Sequence, residues 1–261
     1  MALADREYFR YDQPRRRGRG GTFMGELFAA APVTAWLIVI NVAVYLLDAL
    51  LPQYIVTFPD GHITQQTGLL KLWGHFSAAT TVFGFQFWRL LTFQFLHGDL
   101  THLLFNMIAL YFFGPMVESY LGSARYLRYY LISGVGGAVM YLVLFTTGVL
   151  GGTSAGWWWM PQAWAPLVGA SAGIFGVLVC AALVAPDTTI MLLFPPVPMR
   201  LRTMAWVFIV IAVYTVLTRG RNAGGEAAHL GGAIVGYALL QGQRLFDGRT
   251  AARRDVFDDP H

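Results

Sequence analysis

The sequence predicts an all-α polytopic membrane protein: one bundle of six membrane-spanning helices with a membrane-associated first external loop. Three observations predict it. Hydrophobic residues make up 56% of the 261 and charged residues only 12%, whereas a soluble domain carries about 25% charged. Apolar runs of the length that crosses a hydrocarbon core, about 20 residues, recur along the chain with polar or turn-forming residues between them. The 18 basic residues are also unevenly shared between the two sides that six spans define.

The elements follow in order. Residues 1–25 are polar, rich in Arg and Gly, and read as a disordered basic segment. Span 1 covers 33–51 and stops at Pro52. It is a full span behind a long basic leader, so it reads as a retained helix rather than a cleaved signal. Residues 52–96 are ambiguous, because Phe76 to Phe95 is apolar enough to cross but contains Arg89 and the turn-prone Phe83-Gly84-Phe85. Aromatics around a lone Arg suit the membrane interface. The remaining spans are 98–116, 125–149, 168–185, 201–218 and 227–246.

Parity supports that choice. With 52–96 as an interfacial loop, the arginines of both tails join Arg125, Arg128, Arg200 and Arg202 on one side, leaving Lys71, Arg89, Arg219 and Arg221 on the other. Basic residues flanking spans mark the cytoplasmic side, so both termini are expected in the cytoplasm. A seventh span would invert everything after it. The loop 150–167 has no charge and carries Trp157, Trp158, Trp159 and Trp164, which places it at headgroup level on the outer leaflet. The organisation is therefore a 1–25 segment, a 26–247 six-span domain and a 248–261 cytoplasmic tail.

The net charge of +4 reflects these anchors and implies no nucleic acid. The one cysteine, Cys180, lies in an apolar run and permits no intrachain disulfide.

Chemistry enters with two polar residues inside apolar segments: Ser171 in Gly169-Ala-Ser-Ala-Gly173 and His229 in Ala228-His-Leu-Gly-Gly-Ala-Ile-Val-Gly236. A polar group in hydrocarbon costs several kcal/mol, order of magnitude, unless it finds a partner. The cheapest solution is that the two meet, and a serine with a histidine is a nucleophile with its base. Gly232 and Gly236 are four residues apart, which lets helices pack closely, and Ser171 and His229 both lie near the outer ends of their spans. Ser171 at a helix start has free N–H groups beside it for an oxyanion. Gly169 and Gly173 leave room for a substrate backbone.

His102 and Asn106 share one helix face and can donate to the same oxyanion. A metal site using His97, His102 and His229 is the competing reading, but no carboxylate or cysteine stands at ligand spacing. No metal or cofactor is implied. Glu226, three residues before His229, can face it but is assigned to the first turn of span 6. With no aspartate in spans 4 or 6, a Ser–His dyad is expected, and Phe175 stands one turn after Ser171, where it can stack on His229.

Together these residues resemble the rhomboid family of intramembrane serine proteases over about 90–247. The family's Gly-X-Ser motif is matched by Gly169-Ala-Ser171, its Ala-His-X-X-Gly-X-X-X-Gly by Ala228 to Gly236, and its His-X-X-X-Asn by His102 to Asn106. Its Trp-Arg pair is matched by Trp88-Arg89, and its Glu followed by Leu-Gly-Ser by Glu118 and Leu121-Gly122-Ser123. The resemblance implies a rhomboid-like bundle around a water-filled cavity, a catalytic Ser171 and His229, oxyanion donors on Asn106, His102 and Ser171, and structural roles for Trp88, Arg89 and Glu118. It also implies single-span transmembrane protein substrates cut near the outer face at small residues. Where the family often has Tyr four residues after the serine, Phe175 stands here.

The basic N-terminus and small size are read as those of a bacterial plasma membrane protein. Three other classes compete with this reading. A soluble α/β hydrolase fits Gly-X-Ser-X-Gly but needs a strand before the serine. A transporter lacks its membrane-embedded acids. A non-catalytic rhomboid-like protein that binds or escorts membrane clients is the alternative.

Overall fold

The computed structural model describes residues 22–57, 64–150, 161–192 and 196–257. Nine α-helices lie among the described residues. A short α1, Phe23–Ala30, is capped by the Thr22 hydroxyl and turns directly into α2, Pro32–Leu50, whose first residue is the proline. Proline is well placed there because the first helical N–H has no intrahelical acceptor. The long helices α5, Leu100–Leu121, and α6, Ser123–Thr146, are joined by Gly122 alone. Its φ of +76° is open to glycine at little cost. The bundle is completed by α7, Ser171–Val184, α8, Leu201–Leu217, and α9, Ala223–Phe257.

Of these, α2, α5 and α6 are each long and apolar enough to cross a membrane, and α7 and α8 are shorter apolar helices. Large apolar side chains face outward along the bundle, among them Trp36, Leu46, Leu104, Val210 and Tyr214. That is the exposure pattern of helices solvated by lipid rather than water. The interior is built by α5, α6, α7 and α8 around Leu110, Val117, Tyr130, Val177 and Met204.

Several elements differ from the sequence-based expectation. The all-α expectation requires two additions, the antiparallel hairpins β1–β2 (Gln53–Thr57 with Thr64–Gly68) and β3–β4 (Thr189–Met191 with Pro198–Arg200). Neither adjoins Ser171 in sequence. Residues 52–96 hold only short pieces: the β1–β2 hairpin, α3 at Leu69–Gly74, a π turn at Ala79–Phe83 and α4 at Arg89–Thr92. None is long enough to cross a membrane. α1 falls across the expected boundary at 25, and α9 continues past 247 to Phe257. The expectations for residues 1–21 and for Trp157, Trp158 and Trp159 lie outside the described residues.

Three buried charges hold the frame. Glu118, near the end of α5, accepts from the Val33 and Thr34 N–H groups at 3.0 and 2.9 Å, from the Thr34 hydroxyl at 2.9 Å and from the Ser123 hydroxyl at 2.6 Å. One carboxylate thus satisfies free donors at the start of α2 and ties α5 to α2 and α6. Asp48, near the end of α2, accepts from the Leu70 and Lys71 N–H groups at 2.7 and 3.2 Å and lies 3.4 Å from Lys71 Nζ. It pins the start of α3 to α2. Arg89 donates to the His75 carbonyl at 2.6 Å, the Leu72 carbonyl at 3.0 Å and Gln86 Oε1 at 2.6 Å, while Trp88 Nε1 donates to the Trp73 carbonyl at 3.1 Å. The Trp-Arg pair therefore knots the first loop through backbone carbonyls.

Glu118→Gln removes the charge from this cluster and turns one acceptor into a donor. It is expected to lower stability by about 1–3 kcal/mol, read as a lower thermal midpoint in detergent. Helical content below that midpoint, read by circular dichroism, should be unchanged.

Candidate functional site

α7 begins at Ser171, directly after Gly169-Ala170. The first bond of its ladder runs from Ile174 N–H to the Ala170 carbonyl, so the N–H groups of Ser171, Ala172 and Gly173 precede the ladder. Gly169 has φ +133°, a conformation that side chains other than glycine rarely adopt. A Cβ there would also stand 2.8 Å from the His102 ring and 3.4 Å from Ser171 Oγ. The glycine before the serine is thus required twice, by backbone conformation and by the approach of His102. Gly173 has a different reason: a Cβ would meet the Tyr130 ring at 2.7 Å. Its smallness admits α6, not a substrate.

α9 brings His229 to Ser171. A Cβ on Gly232 would collide with the Ala172 carbonyl of α7, and one on Gly236 would stand 2.7 Å from Gly176 Cα and from the Tyr129 hydroxyl. Tyr129 in turn donates to the Gly176 carbonyl at 2.9 Å. With no side chain between the two backbones, His229 Nε2 lies 2.8 Å from Ser171 Oγ. Phe175 stacks on the imidazole at a centroid distance of 4.2 Å and an interplanar angle of 7°. The other ring nitrogen, Nδ1, lies 2.9 Å from Glu226 Oε2. Glu226 therefore faces His229, a contact that the assignment to the helix end did not include.

Ser171 and His229 line a cavity of about 970 Å³ together with His102, Asn106 and Phe175. α5 positions the His102–Asn106 pair, and its first turn is capped by Asp99, which accepts from His102 N–H at 2.8 Å. Asn106 is buried and its side-chain N–H₂ has no partner among the described residues. Arg219, on the connection between α8 and α9, also lines the cavity and donates to the Val149 and Gly148 carbonyls at 3.1 and 3.2 Å, tying that connection to the turn after α6. Of the other residues singled out, Trp88, Arg89 and Glu118 stand outside this cavity.

His97 packs behind the site, its ring 5.1 Å from that of His102. Burial, with the His102 ring beside it as the lesser cause, holds its pKa down at about 3.

Fold and site together define an integral membrane protein with a serine–imidazole pair set in an internal cavity. The family model described as the Rhomboid domain matches residues 84–242, and the chain belongs to the rhomboid family. It is 32% identical over 164 residues to RHOMBOID-like protein 12, mitochondrial, of Arabidopsis thaliana, covering 61% of this chain and 47% of that protein. It is 27% identical over 210 residues to rhomboid protease AarA of Providencia stuartii, covering 79% of this chain and 70% of that one. It is 32% identical over 157 residues to rhomboid protease GluP of Bacillus subtilis, covering 58% and 25%. The chain thus spans less than half the length of two of these three. A mitochondrial relative stands beside bacterial ones, so the bacterial plasma membrane expected from the sequence is not supported.

The state of His97 has a consequence for stability. The unfolded chain takes up a proton near pH 6.5, while folded His97 stays neutral down to about 3. Its contribution is full above 6.5 and falls as pH drops below it, by up to about 1.4 kcal/mol per pH unit. Thermal midpoints of the wild type and of His97→Phe, measured between pH 7 and pH 4 in detergent, should diverge, with the wild type losing more.

Proposed function

We propose that this protein is an intramembrane serine endopeptidase that uses Ser171 and His229 to cleave single-span transmembrane proteins. The carrying observation is the 2.8 Å contact between Ser171 Oγ and His229 Nε2 at the wall of a large cavity. Ser171 Oγ attacks the scissile carbonyl while His229 takes its proton. His229 then protonates the leaving amine, and water releases the acyl group from Ser171. The Asn106 amide, the His102 ring and the Ser171 N–H are the oxyanion donors. The unpartnered Asn106 nitrogen supports that role.

The same reading takes α2, α5, α6, α7, α8 and α9 as six spans, with both termini on one side and residues 52–96 against the outer leaflet. The 14 residues of α7 rise about 21 Å, short of a hydrocarbon core of about 30 Å. Ser171 then sits below the membrane surface, and the cavity is the path by which water reaches it. Substrates are cut near the outer face, at small residues in a locally unwound helix, because helical amides are shielded by their own hydrogen bonds.

A fluorophosphonate serine probe should label the purified wild type in detergent and should label neither Ser171→Ala nor His229→Ala. Labelling that survives in Ser171→Ala removes the mechanism, and an unlabelled, folded wild type favours a client-binding protein instead. Asn106→Ala should slow peptide-bond cleavage by about 10²-fold with the thermal midpoint little changed. A loss of stability with the rate intact returns Asn106 to packing.

A further inference from the structure

We infer that Glu226 is a positioning residue for the reaction, holding the His229 imidazole in the tautomer and orientation that face Ser171. The inference rests on the serine protease reading above and adds a third member to its two residues. For Ser171 to donate its proton, His229 Nε2 must be the bare nitrogen of the ring, so Nδ1 carries the hydrogen. An acceptor at Nδ1 selects that tautomer. Glu226 Oε2 stands there at 2.9 Å, on the far side of the ring from the 2.8 Å contact with Ser171 Oγ.

The local fold makes this contact without cost to the helix. Glu226 and His229 are three residues apart in the first turns of α9 and so lie on one face. The His229 and Glu226 side chains are largely withdrawn from solvent, at 15% and 18% exposure respectively, which strengthens a charge-assisted bond. The Asn222 amide, at 3.5 Å from Glu226 Oε1, steadies the carboxylate from the preceding turn. Phe175 fixes the plane of the imidazole by stacking but leaves the ring free to flip within that plane. Glu226 removes that freedom. When Ser171 transfers its proton, the imidazolium forms beside a carboxylate and is stabilised by it. The proton stays on His229 until the leaving amine takes it.

The other charged or titratable groups around the imidazole are few. His102 on α5, Tyr141 on α6, and Arg219 and Arg221 on the α8–α9 connection line the same cavity, and α7 contributes Ser171. None of the described lining residues is Asp or Glu, so Glu226 is the one carboxylate that meets this ring among the described residues. A Glu in the first turn of a helix also favours the helix dipole. That role alone would change stability and leave the chemistry of His229 untouched.

The test is the pH dependence of fluorophosphonate labelling of the full chain in detergent, for wild type, Glu226→Gln, Glu226→Asp and Ser171→Ala, with thermal midpoints alongside. Glu226→Gln is expected to slow labelling by about 10- to 10²-fold, less than the ~10⁴-fold known for a full triad, because Phe175 still holds the ring plane. Its acid limb should differ from that of the wild type, since the imidazolium has lost its carboxylate. Glu226→Asp should recover part of the rate. Equal rates with an unmoved acid limb in both variants, or a lowered midpoint with an unmoved acid limb, overturn the inference while wild-type labelling at Ser171 keeps the protease reading intact. A wild type that does not label overturns both. Should the Glu226 variants not fold, the wild type decides by proton NMR: a strongly low-field imidazole N–H that vanishes in His229→Ala is expected, and its absence overturns the inference.

Discussion

The contact on which the site depends is a meeting of two helix backbones. Ser171 and His229 are 58 residues apart in sequence, on helices that would normally be held 8–10 Å apart, order of magnitude, by their side chains. Gly232 against the Ala172 carbonyl and Gly236 against Gly176 remove the intervening side chains. On α6, Gly137 admits Ala172 and the Ala228 carbonyl in the same way, and Gly136 admits Val235. The three helices therefore form a core with few rotamers to rearrange. Backbone packing on such a core sets the spacing of the hydroxyl and the imidazole, and the Glu226 carboxylate at Nδ1 sets the facing of the ring.

Buried polar groups elsewhere are treated in a different way. Glu118, Asp48 and Arg89 are each saturated by backbone N–H groups, carbonyls or nearby side chains. They act as staples, joining segments whose own backbone groups need partners. At the cavity the reverse holds, because Asn106 keeps an unused donor and the first N–H groups of α7 precede its ladder. Polar capacity is consumed where the fold needs rigidity and left open where a reacting group would need solvation.

Much of this was legible in the sequence, for physical reasons that differ from residue to residue. Ser171 and His229 stood out because polar groups are rare in apolar runs, and the glycine spacing indicated close packing. The ends of α2, α7 and α8 fell within a few residues of their expected positions because Pro32, Pro52 and the change to polar residues mark them. The purpose of Gly169 was only half visible, since a positive φ and the approach of His102 are properties of the folded chain. The sequence points Glu226 to the helix end, because spacing alone cannot say which way a carboxylate turns. Asp48 carries no such signal: its partners, Leu70 and Lys71, lie 22 and 23 residues away across a hairpin. The hairpins themselves carry too few residues to produce an alternating pattern.

The length of α8 bears on where in a cell's membranes such a protein would settle. Its outward residues Trp206, Val210, Tyr214 and Leu217 are among the most exposed apolar side chains of the bundle. Its 17 residues rise only about 26 Å. Taken as a lipid-facing span, it is shorter than an average hydrocarbon core, so the surrounding acyl chains must shorten or tilt beside it. Such deformation costs a fraction of a kcal/mol for each ångström, order of magnitude, and it is least where the bilayer is already thin. The elastic energy of the lipid, as well as any address signal, would then bias this chain toward thinner membranes and toward neighbours with equally short spans.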